Sequence, residues 1–299
     1  MKILITGCSG QLGEQIIKQA PKNFDLVCLN KKNLDLSDFE ACYKVVIEKK
    51  PDWIINAGAY TNVDQAEIDK NLVLSTNTGA PRAFSKALKV TGGKILQIST
   101  DYVFDGKQKS PYRASKEKSP INFYGYTKSL AEEHIDKLLG EKKKYVILRT
   151  SWLVGPSGRN FLLTMLSLQN KKKNIKVVSD QFGSMTSTIS LAKACWQSIE
   201  KYTDDIFHEN NNPILHFTES GEASWYEIAI TIGEVAFKYG LIKEIPHIEP
   251  INSDEFKTIA KRPNYSVLDC SESYKILNFH PPYWKDSIKD IIKAIKSKS

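Results

Sequence analysis

Arginine is scarce in this sequence. Arg82, Arg113, Arg149, Arg159 and Arg262 are the only arginines among 42 basic residues; the rest are lysines. Arginine is the usual reader of base edges in specific nucleic-acid binders. No aromatic–basic RNA-binding motif accompanies the lysines, so no nucleic-acid partner is expected despite the net charge of +8. Long hydrophobic runs are missing as well. No stretch approaches the ~20 apolar residues that cross a bilayer, so no membrane association is expected. The apolar run near the start, Ile3-Leu4-Ile5, is too short for a signal peptide. Cysteine is sparse and poorly spaced for bonding. Cys8, Cys28, Cys42, Cys195 and Cys270 form no Cys-x-x-Cys pair and no Cys/His cluster. A disulfide framework or structural zinc site is thereby disfavoured, no metal is expected, and the expected address is the cytoplasm.

What is present can fill a core. Twelve Phe, 13 Tyr and 5 Trp within a 41% hydrophobic chain exclude disorder as the main state. In the first half, short apolar runs alternate with helix-period segments. Strands are predicted at Lys2 to Thr6, Phe24 to Leu29, Trp53 to Asn56, Lys94 to Ser99 and Tyr145 to Thr150. Helices are predicted at Gly10 to Ala20, Leu36 to Lys50, Ser75 to Val90 and Tyr124 to Leu139. Strands that are apolar throughout belong to a parallel sheet covered on both faces. The expected fold is therefore α/β, a doubly wound parallel sheet of Rossmann-like type. The rhythm loosens beyond residue 155. Helix-like runs at Phe161 to Leu168, Ile189 to Lys201 and Ser224 to Tyr239 are separated by polar, Pro-containing stretches such as Ile245 to Pro250. We expect a dinucleotide-binding domain over 1–155 and a smaller substrate-binding lobe over 156–299, with a strand or two of the second half joining the first sheet.

The segment Thr6-Gly7-Cys8-Ser9-Gly10-Gln11-Leu12-Gly13 links the first strand to the first helix. Gly7, Gly10 and Gly13 permit a tight turn and close backbone approach, and the helix start presents free N–H groups to a pyrophosphate. The second strand ends Leu29-Asn30-Lys31-Lys32. An acid there would accept from a ribose 2′-hydroxyl. Its absence, with Asn30 and Lys31 in its place and Lys31 or Lys32 able to pair with a 2′-phosphate, favours NADPH, with NADH admissible.

A Tyr and a Lys four residues apart share a helix face, and a nearby ammonium lowers a phenol's pKa. The spacing occurs three times. Tyr112/Lys116 lies in a loop-like, Pro-flanked stretch, and Tyr239/Lys243 contains Gly240. Only Tyr124/Lys128 opens a good helix after a strand, the one that ends Ser99-Thr100-Asp101. Ser99 or Thr100 could hydrogen-bond a substrate carbonyl there. Tyr126, with no Lys at the right offset, is read as structural.

Together with Ile55-Asn56-Ala57-Gly58-Ala59-Tyr60-Thr61, Ser99-Thr100-Asp101-Tyr102-Val103-Phe104, Tyr124-Gly125-Tyr126-Thr127-Lys128, Arg149-Thr150-Ser151-Trp152, Asp180-Gln181-Phe182-Gly183 and Arg262-Pro263-Asn264-Tyr265, these features resemble the extended short-chain dehydrogenase/reductases. Within that superfamily the chain is similar to the dTDP-4-dehydrorhamnose reductases over nearly its whole length. The resemblance implies an oxidoreductase that reduces the C4 ketone of a dTDP-4-keto-6-deoxy sugar. Thr100, Tyr124 and Lys128 would be the catalytic set. Gly7, Gly10, Gln11, Leu12 and Gly13 would hold the cofactor pyrophosphate, Asp35 and Leu36 would flank the adenine, and Ala57, Gly58 and Ala59 would lie along the ribose and phosphates. Asp101, Tyr102, Trp152 and Arg262 would join Thr100 at the sugar nucleotide. A homodimer is compatible with all of this. The chain departs from the family at Met185, where Pro is usual, at Lys261, where Arg is usual, and at the acid-free end of the second strand. The Asp-Glu pair that dehydratases place after this Thr is Asp101-Tyr102 here, which disfavours elimination. A 4-epimerase lacks support. A non-catalytic regulatory relative should have lost part of the Thr/Tyr/Lys set, and all three are present.

Overall fold

The computed structural model describes residues 1–171, 173–202 and 212–297. β1 (Lys2–Thr6), α1 (Gln11–Lys18), β2 (Asp25–Leu29), α2 (Phe39–Lys49) and β3 (Trp53–Asn56) follow in strict alternation. Two short helices, α3 (Val63–Ala66) and α4 (Lys70–Leu74), lead through a π-helical turn (Ser75–Gly79) into α5 (Ala80–Thr91). Then come β4 (Lys94–Thr100), α6 (Phe123–Leu139) and β5 (Tyr145–Thr150). The second half contains β6 (Leu153–Val154), α7 (Phe161–Gln169), β7 (Asn174–Val178), β8 (Phe182–Gly183), β9 (Thr186–Ser187) and α8 (Thr188–Tyr202). It continues with β10 (Ile214–His216), β11 (Ala223–Ser224), α9 (Trp225–Lys238), β12 (His247–Ile251), α10 (Ser271–Leu277) and α11 (Trp284–Lys296).

Among the described residues, six strands form the main sheet in the order β2-β1-β3-β4-β5-β10, all parallel. Alternation along each strand divides its side chains between two cores. Ile3, Ile5, Ile55, Leu96 and Leu148 pack against α1 and α8. Leu4, Ile54, Ile95 and Ile147 pack against α2, α5 and α6 on the opposite face. Both faces are dry, which is why these strands read as unbroken apolar runs. The order reverses between β1 and β3, and that switch point is where such sheets open a crevice at their carboxyl ends.

A third core lies apart from the sheet, among α7, α9, α11 and the parallel pair β7–β12. α8 and β10 return to the first sheet, so the second half contributes to both. β12 runs through the stretch expected to be irregular. Its Pro250 is tolerated because β12 belongs to a two-stranded ladder and is an edge strand. No helix among the described residues is long and apolar enough to cross a membrane, and none of their His, Cys, Asp or Glu side chains cluster in threes to hold a metal ion.

Candidate active site

A cleft of about 770 Å³ runs along the carboxyl ends of the sheet. At its first end Gly7, at φ +65°, turns the chain from β1 into α1. A Cβ on Gly7 would stand 2.7 Å from backbone atoms of Gly58, so the two glycines let the β1 and β3 turns touch. Gly10 caps α1 without a side-chain oxygen, leaving the first-turn N–H groups for an anion. Those uncapped donors fit a dinucleotide diphosphate. Gly7, Gly10, Gln11 and Leu12 line the cleft. Gly13 does not; a Cβ there would overlap the Gly7 carbonyl, so its contribution is helix-to-turn packing.

Asn30, Lys31, Asp35 and Leu36 line the outer wall. Asn30 Oδ1 accepts from the Lys32 and Asn33 amides at 2.8 and 3.3 Å, which shapes the turn that carries exposed Lys31. Asp35 is held below the usual carboxylate range by the amide and hydroxyl of Ser37. Ala57, Gly58 and Ala59 line the opposite wall. Gly58 N–H donates to Thr6 Oγ1 at 3.2 Å, tying that wall to β1.

Thr100, Asp101, Tyr102, Tyr124 and Lys128 converge at the inner end. Asn122 caps α6 by accepting from the Gly125 amide at 2.8 Å, and a Cβ on Gly125 would overlap the Tyr102 carbonyl. This close approach brings Tyr124 against the end of β4. The Tyr102 and Tyr124 rings meet edge to face, with centroids 6.0 Å apart. Thr100 Oγ1 donates to Asp101 Oδ1 at 3.0 Å, and hydrogen bonds from Ser266 and Thr100 partly offset the burial of the Asp101 carboxyl. Burial raises the Asp101 carboxyl to about 7.

The expected lowering of the Tyr124 phenol by Lys128 does not occur. Burial, followed by the Asp101 charge, pushes Tyr124 up to about 12, partly offset by a Thr100 hydrogen bond. The Lys128 ammonium donates instead to the Ile98 carbonyl at 2.6 Å, and burial draws Lys128 itself down to about 8. Desolvation outweighs the helix-face pairing that the spacing suggested. The consequence is a phenol that stays protonated at neutral pH and is available as an acid.

One residue missed in the sequence holds this end together. Glu132 accepts from Arg149 Nε and Nη2 at 2.9 and 2.7 Å and from Ser99 Oγ at 2.6 Å. All three residues are buried. Glu132 lies one turn beyond Lys128 and favours its charged form. Arg149 is thus a structural cation, and the Ser99 hydroxyl is committed to the buried Glu132 carboxylate, while Thr100, whose hydroxyl donates to Asp101, lines the cleft beside Tyr124. Tyr126, read as structural, is 47% exposed on the far side of the helix.

On the substrate side Trp152 lines the cleft in the left-handed region, at φ +47°. Such a conformation costs a bulky residue on the order of 1–3 kcal/mol. It is held by Trp225, stacked at 3.7 Å and 13°, and by Gly183, where a Cβ would come within 2.6 Å of the indole. Trp225, part of the family-like run Ser224-Trp225-Tyr226-Glu227 but given no role from the sequence, also lines the cleft, as does Arg159, which stood in no motif. Arg262 does not line it. Its fork closes on Asp64 at 2.7 and 3.2 Å, which binds the 260s loop to α3 beside Tyr102.

The RmlD substrate binding domain family matches residues 1–297. A dTDP-4-dehydrorhamnose reductase of Aggregatibacter actinomycetemcomitans is 34% identical over 97% of this chain and 98% of its own length. The crystal structure of a Clostridium acetobutylicum dTDP-4-dehydrorhamnose reductase superposes with a TM-score of 0.88 at 37% identity, covering 99% of this chain and 100% of that one. That of a Bacillus anthracis dTDP-4-dehydrorhamnose reductase in complex with NADP does so at 0.85 and 32%, covering 98% and 99%. With its doubly wound sheet, uncapped glycine turn and convergent Thr, Tyr and Lys, the chain belongs to the RmlD family of the extended short-chain dehydrogenase/reductases.

Proposed function

We propose that the protein reduces the C4 ketone of dTDP-4-dehydro-β-L-rhamnose to dTDP-L-rhamnose, supplying a nucleotide sugar for cell-surface polysaccharide. The observation that carries this reading is the meeting of Thr100, a protonated Tyr124 and Lys128 at the inner end of a cleft whose other end is an anion-binding glycine turn. When bound, NADPH, or less favourably NADH, supplies the hydride. Tyr124 donates its phenolic proton to the alkoxide forming at C4. The Thr100 hydroxyl, turning its proton from Asp101, donates to the same oxygen. Lys128, steadied by the Ile98 carbonyl, binds the nicotinamide ribose. Gly7, Gly10, Gln11 and Leu12 hold the diphosphate, and Asn30 and Lys31 receive a 2′-phosphate. Asp35 and Leu36 flank the adenine, and Ala57 to Ala59 follow the ribose. Asp101, Tyr102 and Trp152 hold the sugar nucleotide.

On this reading residues 1–155 form the dinucleotide domain and 156–299 mainly the sugar-nucleotide lobe. The enzyme works in the cytoplasm on a small-molecule substrate, with no membrane or nucleic-acid partner, and a homodimer is compatible with a cleft lined by one chain. The direct test is NADPH oxidation by the purified protein with enzymatically prepared dTDP-4-dehydrorhamnose, with dTDP-L-rhamnose identified as product. Absence of turnover with both NADPH and NADH would overturn the assignment.

A further inference from the structure

Among the described residues, three cationic side chains line the cleft: Lys31, Lys128 and Arg159. Lys128 is engaged by the Ile98 carbonyl, and Lys31 stands at the outer wall beside Asn30. Arg159 is exposed and has no acidic partner among the described residues. It comes from the second half of the chain, on the loop between β6 and α7. That loop is fastened across the first turn of α1. Ser157 Oγ donates to Glu14 Oε2 at 2.6 Å, and Asn160 Nδ2 donates to Gln11 Oε1 at 3.1 Å. Gly158, at φ +77°, lies so close that its Cβ would stand 3.1 Å from that of Gln11.

The loop therefore places Arg159 next to the uncapped start of α1. A diphosphate brings about two negative charges, whereas a helix terminus offers roughly half a positive one. Resting on the cleft's reading as a dinucleotide-dependent reductase site, we propose that Arg159 is a cofactor-binding residue whose guanidinium pairs with the dinucleotide diphosphate. The anion is then held from both sides, by α1 of the first half and by Arg159 of the second. The sugar nucleotide also carries a diphosphate. The loop's anchors to Glu14 and Gln11, both in the first turn of α1, favour the cofactor's.

The test is equilibrium binding of NADPH, NADH and ADP-ribose, without substrate, to the wild-type protein, Arg159→Ala and Arg159→Lys. ADP-ribose keeps the diphosphate but lacks nicotinamide and 2′-phosphate. Arg159→Ala should weaken all three ligands about tenfold, the size of a lost charge-assisted hydrogen bond. Arg159→Lys should restore part of the affinity, since charge survives and the bidentate fork does not. An unchanged Kd for ADP-ribose in Arg159→Ala overturns the proposal. So does a raised KM for the sugar nucleotide with unchanged cofactor Kd, which would move Arg159 to the substrate. Failure of the wild-type protein to bind any of the three ligands would instead overturn the reductase reading on which the proposal rests.

Discussion

The two ends of the cleft hold their charges in opposite ways. At the inner end Glu132, Arg149, Lys128 and Asp101 are buried, and each ionic group is either paired or displaced from its ordinary titration. At the outer end Lys31 and Asp35 stand in solvent, and Asp35 is lowered chiefly by Ser37, with a smaller pull from the Lys31 charge. In low dielectric a missing partner is expensive, whereas in water it is largely replaced by solvent and salt. The inner end is built to define one geometry for chemistry. On the proposed function, the outer end would select among ligands by modest increments.

Four substitutions sharpen this contrast, from the largest effect to the smallest. Tyr124→Phe removes the proposed acid without changing the ring's packing. Turnover should fall by about 10²–10⁴-fold with little change in NADPH affinity, and steady-state kinetics beside a binding titration separates the two. Full activity would reject Tyr124 as the acid. Glu132→Gln leaves buried Arg149 short of its counter-charge and should cost about 3–5 kcal/mol in urea denaturation. A paired Glu132→Leu, Arg149→Met variant should recover much of that loss. A stable single variant would show the pair to be dispensable.

The third concerns pH. Asp101 ionises near 3.8 in an unfolded chain and near 7 in the folded one. Between those values the folded chain binds more protons than the unfolded chain, so the carboxyl's contribution to stability declines as pH rises through that window. Asp101→Asn should flatten the stability–pH line. The slope should not vanish, because buried Glu219 is also raised to about 7 and acts with the same sign. Superimposable lines for wild type and variant would contradict the burial argument. Smallest of all, Lys31→Ala should weaken NADPH about two- to fivefold and leave NADH unaffected, the scale of an exposed ion pair. Equal losses for both cofactors would dismiss the 2′-phosphate role.

Much of the inner end was legible because its signals are local. Setting aside two of the three Tyr/Lys pairs agrees with where they sit. Tyr112 is stacked on Phe104 in a small buried cluster and donates to Asp105 at 2.7 Å. Tyr239 ends α9 before Gly240, which has a positive φ. The direction of the Tyr124 shift was not legible, since it depends on burial supplied by segments distant in sequence. Trp225 stacks on Trp152 across 73 positions, and Arg262 meets Asp64 across 198, with no local pattern announcing either contact. β12 was obscured by Pro250, which reads as a strand breaker until the strand is seen at an edge.

By itself the sequence determined the alternating elements, the glycine turn and the placement of Tyr124 and Lys128 on one helix. Hydrophobic period, turn chemistry and i,i+4 spacing act within about a dozen residues. Only the tertiary structure decided that Lys128 bonds the Ile98 carbonyl, that Glu132 and Arg149 neutralise each other beneath the site, and that the loop carrying Arg159 lies over α1. Those outcomes depend on which surfaces the crossovers bring together and on how much water they exclude, and both are properties of the packed chain.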